Sequence, residues 1–258
     1  MGGFRGDDTL ALVAKRQVFL SSLSEGPKEK PALADDCGVA RSTVDRAIRE
    51  LTAAELVERG DCGYELSVSG RLVYEEFSEC QRSLDAIAET RDVLDMLPRA
   101  DLVDPVMLVG AEVTRADIHA PDRGIRETVD LMSDAVRVRG VSPAAHAAYV
   151  EAFDERIYGA GMQVQLVFTP DVFTELATTY AEYMETDLPD YVTLYQIDEL
   201  PPLGIMLVEH ADGTEEASFG VYTANGVQAV VRNTSDEAVC WAEQRFEAIR
   251  EQATEFKL

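Results

Sequence analysis

Between residues 31 and 66 the apolar positions change their period twice. From about Thr43 to Ala54, Val44, Ala47, Ile48 and Leu51 recur at spacings of 3, 1 and 3, the stripe of an amphipathic helix. Ser42 stands before it as a good N-cap. Upstream, Leu12, Val13, Val18, Phe19 and Leu20 mark a helix from Leu10 to Leu23. Ala34, Gly38 and Val44 stand at the spacing of a helix-turn-helix: a small residue where two helices approach, a glycine to end the first, an apolar residue dropping into the shared core. The pattern then shortens. Leu56-Val57-Glu58-Arg59-Gly60, the turn Asp61-Cys62-Gly63 and the returning Tyr64-Glu65-Leu66 predict a two-stranded wing.

From about Arg71 to Leu97 the apolar positions settle into a heptad. Val73, Phe77, Cys80, Leu84, Ile87, Arg91 and Leu94 follow spacings of 4, 3, 4, 3, 4 and 3, broken only by Arg91, and Pro98 ends the run. We expect dimer contact along this helix, setting two heads about one DNA turn, ~34 Å, apart. The alternative is a helix that packs on its own effector domain.

Beyond Leu102 strand and helix patterns alternate. Pro105–Val109 is a short apolar run. Pro121–Val138 reads as a helix with Ile125, Val129, Met132 and Val136 on one face. Ser142-Pro143 opens another, running to about Tyr158 and stopping at Gly159-Ala160-Gly161. Residues 162–168 form a strand, and Thr169-Pro170 begins a helix to about Met184. Strands follow at 191–197 and 204–209. Those at 217–222 and 227–232 flank Asn225-Gly226, a hairpin signal. A capping box, Thr234 with Glu237, opens a last helix to about Phe256, with Trp241, Phe246 and Ile249 inward. The expected fold is α+β to α/β. A winged helix-turn-helix over 1–70 is joined by a helix over 71–98 to an α/β effector domain over 99–258 with a mixed sheet.

The face left exposed on the second helix of the head is polar. Arg41, Ser42, Thr43, Asp45, Arg46 and Arg49 lie outside the apolar stripe. Arginine reads guanine or grips phosphate, and serine and threonine donate to phosphate oxygens. These residues cluster at the helix end that meets bases, and Arg59 near the wing tip is a candidate phosphate contact. Double-stranded DNA is the expected partner, with a solvated helix or a protein-binding winged helix as the alternatives.

The stretch VARSTVDRAIRELTAAELVERGDCGYELSVSG resembles the winged helix-turn-helix of archaeal transcriptional regulators. GAEVTRADIHAP, VRVRGVSP, the glycine before VQLVFT, LGIMLVE and the CWAEQRFEAIRE helix resemble the effector domain of methanogenesis-regulator (filament-regulator) type winged-helix proteins, and more distantly the sugar-responsive TrmB family. The resemblance implies a regulator whose second domain senses a small molecule or a partner. It carries no ligand residue over to this chain.

Charge adds a setting. The chain has 258 residues, with 48 Asp and Glu against 23 Lys and Arg, a net charge of −25 and only four lysines. An acidic surface nearly emptied of lysine suits molar salt, where self-repulsion is screened, so a haloarchaeal cytoplasm is expected. Residues 1–75 are net −3 and the remainder net −22, so the least acidic region is the one assigned to DNA. Cys37, Cys62, Cys80 and Cys240 form no C-x-x-C pair, and His119, His146 and His210 lie far apart, so no metal is expected. Cys37 and Cys80 read as small buried hydrophobes. No apolar run reaches membrane-spanning length and MGGFRGDDTL lacks a leader's apolar core. Gly6 also fails the myristoylation pattern.

Catalysis is not expected. His119 is followed by Ala120-Pro121 rather than the His-x-Lys of phospholipase D chemistry, and no Gly-x-Ser-x-Gly elbow, Walker loop or dinucleotide fingerprint occurs. No cofactor is implied. Arg115 and His119, and Glu209-His210 after a buried strand, are candidate ligand contacts at strand ends. The leading expectation is a homodimeric transcription factor responsive to a metabolite. An enzyme subunit with a DNA-binding head, or an effector-less interaction module, is the alternative.

Overall fold

The structure is a computed structural model that describes residues 6–184 and 188–256. The segment 1–5 read against a leader and the last lysine, Lys257, lie outside the described residues. The chain forms two compact units, divided between Leu84 and Asp85.

The first unit contains α1 (Gly6–Ser24), α2 (Lys30–Asp36), α3 (Arg41–Ala53), β1 (Val57–Gly60), β2 (Gly63–Leu66) and most of α4 (Val68–Glu89). Val13, Phe19, Leu20, Leu33, Val44, Ala47, Ile48, Leu51 and Leu56 form its core. The stripe expected on α3 is the stripe that is buried. Gly38 takes φ +62° in the turn after α2, where Val39 donates back to the Ala34 carbonyl at 3.0 Å. The N-cap differs from expectation. Ala40 holds the extended cap conformation and its carbonyl accepts from Thr43 at 2.8 Å, so Ser42 lies inside the first turn rather than before it. The wing pairs Val57 with Leu66 through Gly60 with Gly63. Lys28 and Tyr64 exchange two backbone hydrogen bonds of 2.9 Å, adding a short third edge to it. Gly63 sits at φ +134°, and a Cβ there would lie 2.6 Å from the Lys28 carbonyl carbon.

The heptad run does not form one helix to Leu97. It ends as α4 at Glu89, and α5 (Arg91–Leu94) restarts after Thr90, whose hydroxyl donates to the Ala86 carbonyl. Val73 and Phe77 pack on the core of the first unit, Ile87 and Leu94 on that of the second. Four of the seven seam residues are thus partly covered within the chain, while Cys80, Leu84 and Arg91 stay exposed. Cys37 is half-buried, but Cys80 is exposed, contrary to the sequence reading: it shares the face of Val73 and Phe77, but the core of the first unit reaches no further along that face than Phe77.

The second unit is an eight-stranded mixed sheet, in the order β10-β6-β5-β4-β7-β8-β9-β3. Its strands are β3 (Glu112–Arg115), β4 (Ala135–Val141), β5 (Gln163–Phe168), β6 (Val192–Gln196), β7 (Leu203–His210), β8 (Glu215–Thr223), β9 (Gly226–Asn233) and β10 (Thr254–Phe256). β4, β5 and β6 are parallel and the rest pair antiparallel. Helices α6 (Arg123–Leu131), α7 (Ala147–Ala160), α8 (Pro170–Thr179), α9 (Ala181–Met184) and α10 (Asp236–Arg250) complete it. Strand alternation divides the core. Leu203, Ile205 and Leu207 of β7 face the layer of α10 with Phe246, while Met206 and Val208 face the layer of Phe173 and Ile157.

Several expected elements move. The apolar run at Pro105–Val109 opens as a 3-10 turn over Pro105–Met107, begun by Asp104, whose carboxylate accepts from Val106. The helix expected to Val138 stops at Leu131, and Val136 and Val138 belong to β4, where branched side chains favour the strand. Ser142-Pro143 stays in a loop, the Ser142 hydroxyl donates to Ala144, and α7 starts after His146. The last helix is capped by Ser235 rather than Thr234, and it ends at Arg250 so that β10 can pair with β6. Among the described residues no helix is long and apolar enough to cross a membrane.

Candidate nucleic-acid interface and effector cavity

On α3, Arg41, Ser42, Asp45, Arg46 and Arg49 are exposed and Thr43 is half-buried. Most cations elsewhere in the first unit are held by carboxylates. Lys15 and Arg16 share Glu50 at 3.1 and 2.9 Å, and Lys28 meets Glu25 and Asp36 at 2.7 and 2.6 Å. Lys30 meets Asp45 at 2.6 Å, and Arg59 grips both oxygens of Glu29 at 3.0 and 2.7 Å while lying over the Tyr64 ring. Among the described residues, no carboxylate forms an ion pair with Arg41, Arg46 or Arg49, nor with Arg71 or Arg82 on α4. The lysine hydrogen bond holds the Asp45 carboxyl below the usual carboxylate range. Of the residues predicted for DNA, the structure brings six together on α3. It gives Asp45 and Arg59 internal partners that the sequence did not reveal.

The four residues predicted for a ligand are not gathered. Arg115 on β3 is committed to Asp92 at 2.6 Å and to the Glu89 carbonyl at 3.1 Å, and that guanidinium depresses the Asp92 carboxyl. His119 lies in an exposed turn in which the Asp117 carboxylate accepts from the His119 and Ala120 amides. Glu209 pairs with Arg137 at 3.0 Å. His210 lies beside a cluster of charges: its Nδ1 meets Asp134 at 2.7 Å, its Nε2 is 3.7 Å from Glu216, and Glu216 with Glu127 clamps Arg232. Those carboxylates push the Arg232 guanidinium further up, so it stays charged.

A cavity of about 140 Å³ opens instead between the sheet and α7. Its floor is made by small residues at alternate positions. Gly204 pairs with Gly220, and Met206 with Ser218, across β7 and β8. Glycine inside a strand marks a close approach. Here the ring of Tyr222 fills it, since a Cβ on Gly204 or Gly220 would stand 3.1 or 3.3 Å from the ring edge. Val150, Phe153, Ile157 and Leu176 make apolar walls, and His146 stands among the lining residues. The His146 Nδ1 accepts from the Ala148 amide at 3.2 Å, which leaves Nε2 to carry the proton of the neutral ring. Tyr149 is 7% exposed and its hydroxyl has no hydrogen-bond partner. The hydroxyls of Thr128 and Tyr222 neighbour it without reaching hydrogen-bond geometry. Burial pushes both phenols up, so both stay protonated. The signal for this site in the sequence was the small residues Gly204, Ser218 and Gly220 within otherwise bulky strands, which reads only as burial until the strands are paired. Among the described residues no group of three His, Cys, Asp or Glu side chains is placed to hold a metal.

Residues 121–252 match the family model described as the methanogenesis regulatory protein FilR1, middle domain. Residues 5–89 match that of the HVO_A0261 N-terminal domain. No curated protein matches the chain. Among solved structures, the archaeal chromatin protein TrmBL2 aligns over 98% of this chain and 100% of its own, at 15% identity and a TM-score of 0.40. The phospholipase D family member Nuc from Salmonella typhimurium aligns over 57% and 99%, at 13% identity and 0.44. NucT from Helicobacter pylori aligns over 57% and 98%, at 11% identity and 0.43.

Proposed function

Since the chain belongs to the family of the methanogenesis regulatory protein FilR1 middle domain, we propose that it is a transcriptional regulator whose first unit binds double-stranded DNA through α3 and whose second unit senses a small metabolite. The observation that carries the DNA reading is that Arg41, Arg46 and Arg49, gathered on one helix face, form no ion pair. Lys15, Arg16, Lys28, Lys30 and Arg59 are all tied to carboxylates, whereas the face a major groove would meet keeps its guanidiniums uncommitted. Guanidiniums that form no internal ion pair have none to break when they turn to guanine or phosphate. Ser42 and Thr43 in the first turn of α3 supply further donors to phosphate.

The regulator acts in the cytoplasm as a homodimer on a two-fold operator. An apolar groove between α1 and α4, lined by Leu10, Val13, Leu72, Val73 and Phe77, supports self-association, with Leu10 and Leu72 more than half exposed. Such apolar surface marks contact sites. The metabolite reading is supported by the cavity beside Tyr149.

Binding to genomic fragments at molar potassium chloride tests the reading. Arg46→Ala and Arg49→Ala should each cost about 1–3 kcal/mol of specific affinity if each reads a base. Unchanged footprints in both variants remove α3 as the reading helix.

A further inference from the structure

We propose that the cavity between α7 and the sheet is the effector site, and that it takes a neutral, ring-sized molecule with one hydrogen-bonding head seated against the Tyr149 hydroxyl. This rests on the reading of the second unit as a sensor and adds to it the place and class of the ligand.

Three observations converge. The first is an unmet polar group. The Tyr149 hydroxyl is fully enclosed and unpaired, a condition that costs free energy unless a partner arrives. The hydroxyls of Thr128 and Tyr222 stand beside it, but neither reaches hydrogen-bond geometry. The Thr128 hydroxyl already donates to the Gly124 carbonyl at 3.0 Å, and the Ser142 hydroxyl to Ala144 at 2.8 Å. A ligand carbonyl or hydroxyl accepting from Tyr149 completes the set.

The second is size and texture. About 140 Å³ is close to the roughly 150 Å³ of a dry apolar cavity that accepts benzene. The walls from Val150, Phe153, Ile157 and Leu176 favour an apolar body, and the Gly204–Gly220 floor leaves a flat surface where the Tyr222 ring lies.

The third is charge. Among the described residues no lysine or arginine lines the cavity, and Asp154 is their acidic member. Residues 76–258 are net −22. A buried anion here would be desolvated with no counter-charge, which costs several kcal/mol. Carboxylate and phosphate metabolites are therefore rejected, although many metabolites carry such groups.

Calorimetric titration of the full chain in molar potassium chloride with benzyl alcohol, toluene and benzoate tests this. Benzyl alcohol should bind saturably and benzoate should show no binding. Tyr149→Phe, which removes only the hydroxyl, should weaken benzyl alcohol at least fivefold and leave toluene unchanged. Gly220→Ala, which presses on the Tyr222 ring, should weaken both neutral probes. Far-ultraviolet dichroism confirms that each variant is folded. Absence of neutral binding, benzoate binding as tightly as the alcohol, or indifference of the alcohol to Tyr149→Phe each overturns the site. DNA affinity measured with and without saturating benzyl alcohol separates the two readings. Saturable binding with unaltered DNA affinity upholds the site and removes the sensor role, whereas selective DNA binding by a chain that ignores every probe removes the site.

Discussion

Arg59 stands on β1 of the wing, where a phosphate would meet it, yet its guanidinium is divided between both oxygens of Glu29 and the Tyr64 ring. A DNA phosphate must compete with that carboxylate. Glu29→Gln removes the competitor and one negative charge from the DNA-facing rim. It should tighten DNA binding roughly two- to fivefold across sequences, with no change in sequence preference. Gel-shift titration of operator and scrambled duplexes reads this directly, and unaltered affinity would show that Arg59 makes no phosphate contact even when freed from Glu29. At this scale the sequence was half legible. It identified Arg59 and Asp45 as exposed polar residues, because an apolar stripe leaves its complement outside. It could not show that Lys30 holds Asp45, because the two are fifteen positions apart and meet only when α2 packs on α3. The same holds for Tyr149: a tyrosine in a helix says nothing of whether its hydroxyl has found a partner.

The element that presents the arginines is itself tethered by charge. Glu50, near the end of α3, receives Lys15 and the nearly buried Arg16 from α1. These hydrogen bonds hold the Glu50 carboxyl below its ordinary range near 4.3. A depressed folded-state value means that the tie stabilises above the unfolded value and is lost as pH falls through the folded one. Glu50→Gln should therefore melt earlier than the parent at pH 7, and the gap should close as both are titrated toward pH 2. A gap that stays constant with pH would mean that Glu50 acts through packing rather than charge. Elements also show where periodicity misleads. Val44, Ala47, Ile48 and Leu51 buried as their spacing demanded, because nothing but the core competes for that face. Val136 fitted a helical spacing with Ile125, Val129 and Met132, yet α6 stops at Leu131. Branched residues at 136, 138 and 141 prefer the pleated sheet, and β4 finds partners on both sides in β5 and β7. Similarly the heptad through Leu94 was real as a pattern. Val73 and Phe77 pack on one core and Ile87 and Leu94 on another, which leaves Cys80 and Leu84 exposed between them.

Across the whole molecule the acidic excess constrains how DNA affinity can arise. The chain is net −25, and its first 75 residues are net −3, so no general positive field draws it to a polyanion. At about 1 M salt the Debye length is ~3 Å, and only groups in direct contact feel one another. Counterion release contributes about −0.9 to the log–log salt slope per phosphate neutralised. The uncommitted cations on α3 are Arg41, Arg46 and Arg49, and any of them that reads a base edge neutralises no phosphate. The slope per head should therefore be no steeper than about −3, a bound set by three contacts. Affinity must come from fitted donors and released water, which salt does not screen. Fluorescence anisotropy of an operator duplex over a series of potassium chloride concentrations measures this slope. A steeper fall would require further phosphate contacts, either from the unpaired Arg71 and Arg82 of α4 or from Arg59, Lys28 and Lys30 once the carboxylates that hold them let go.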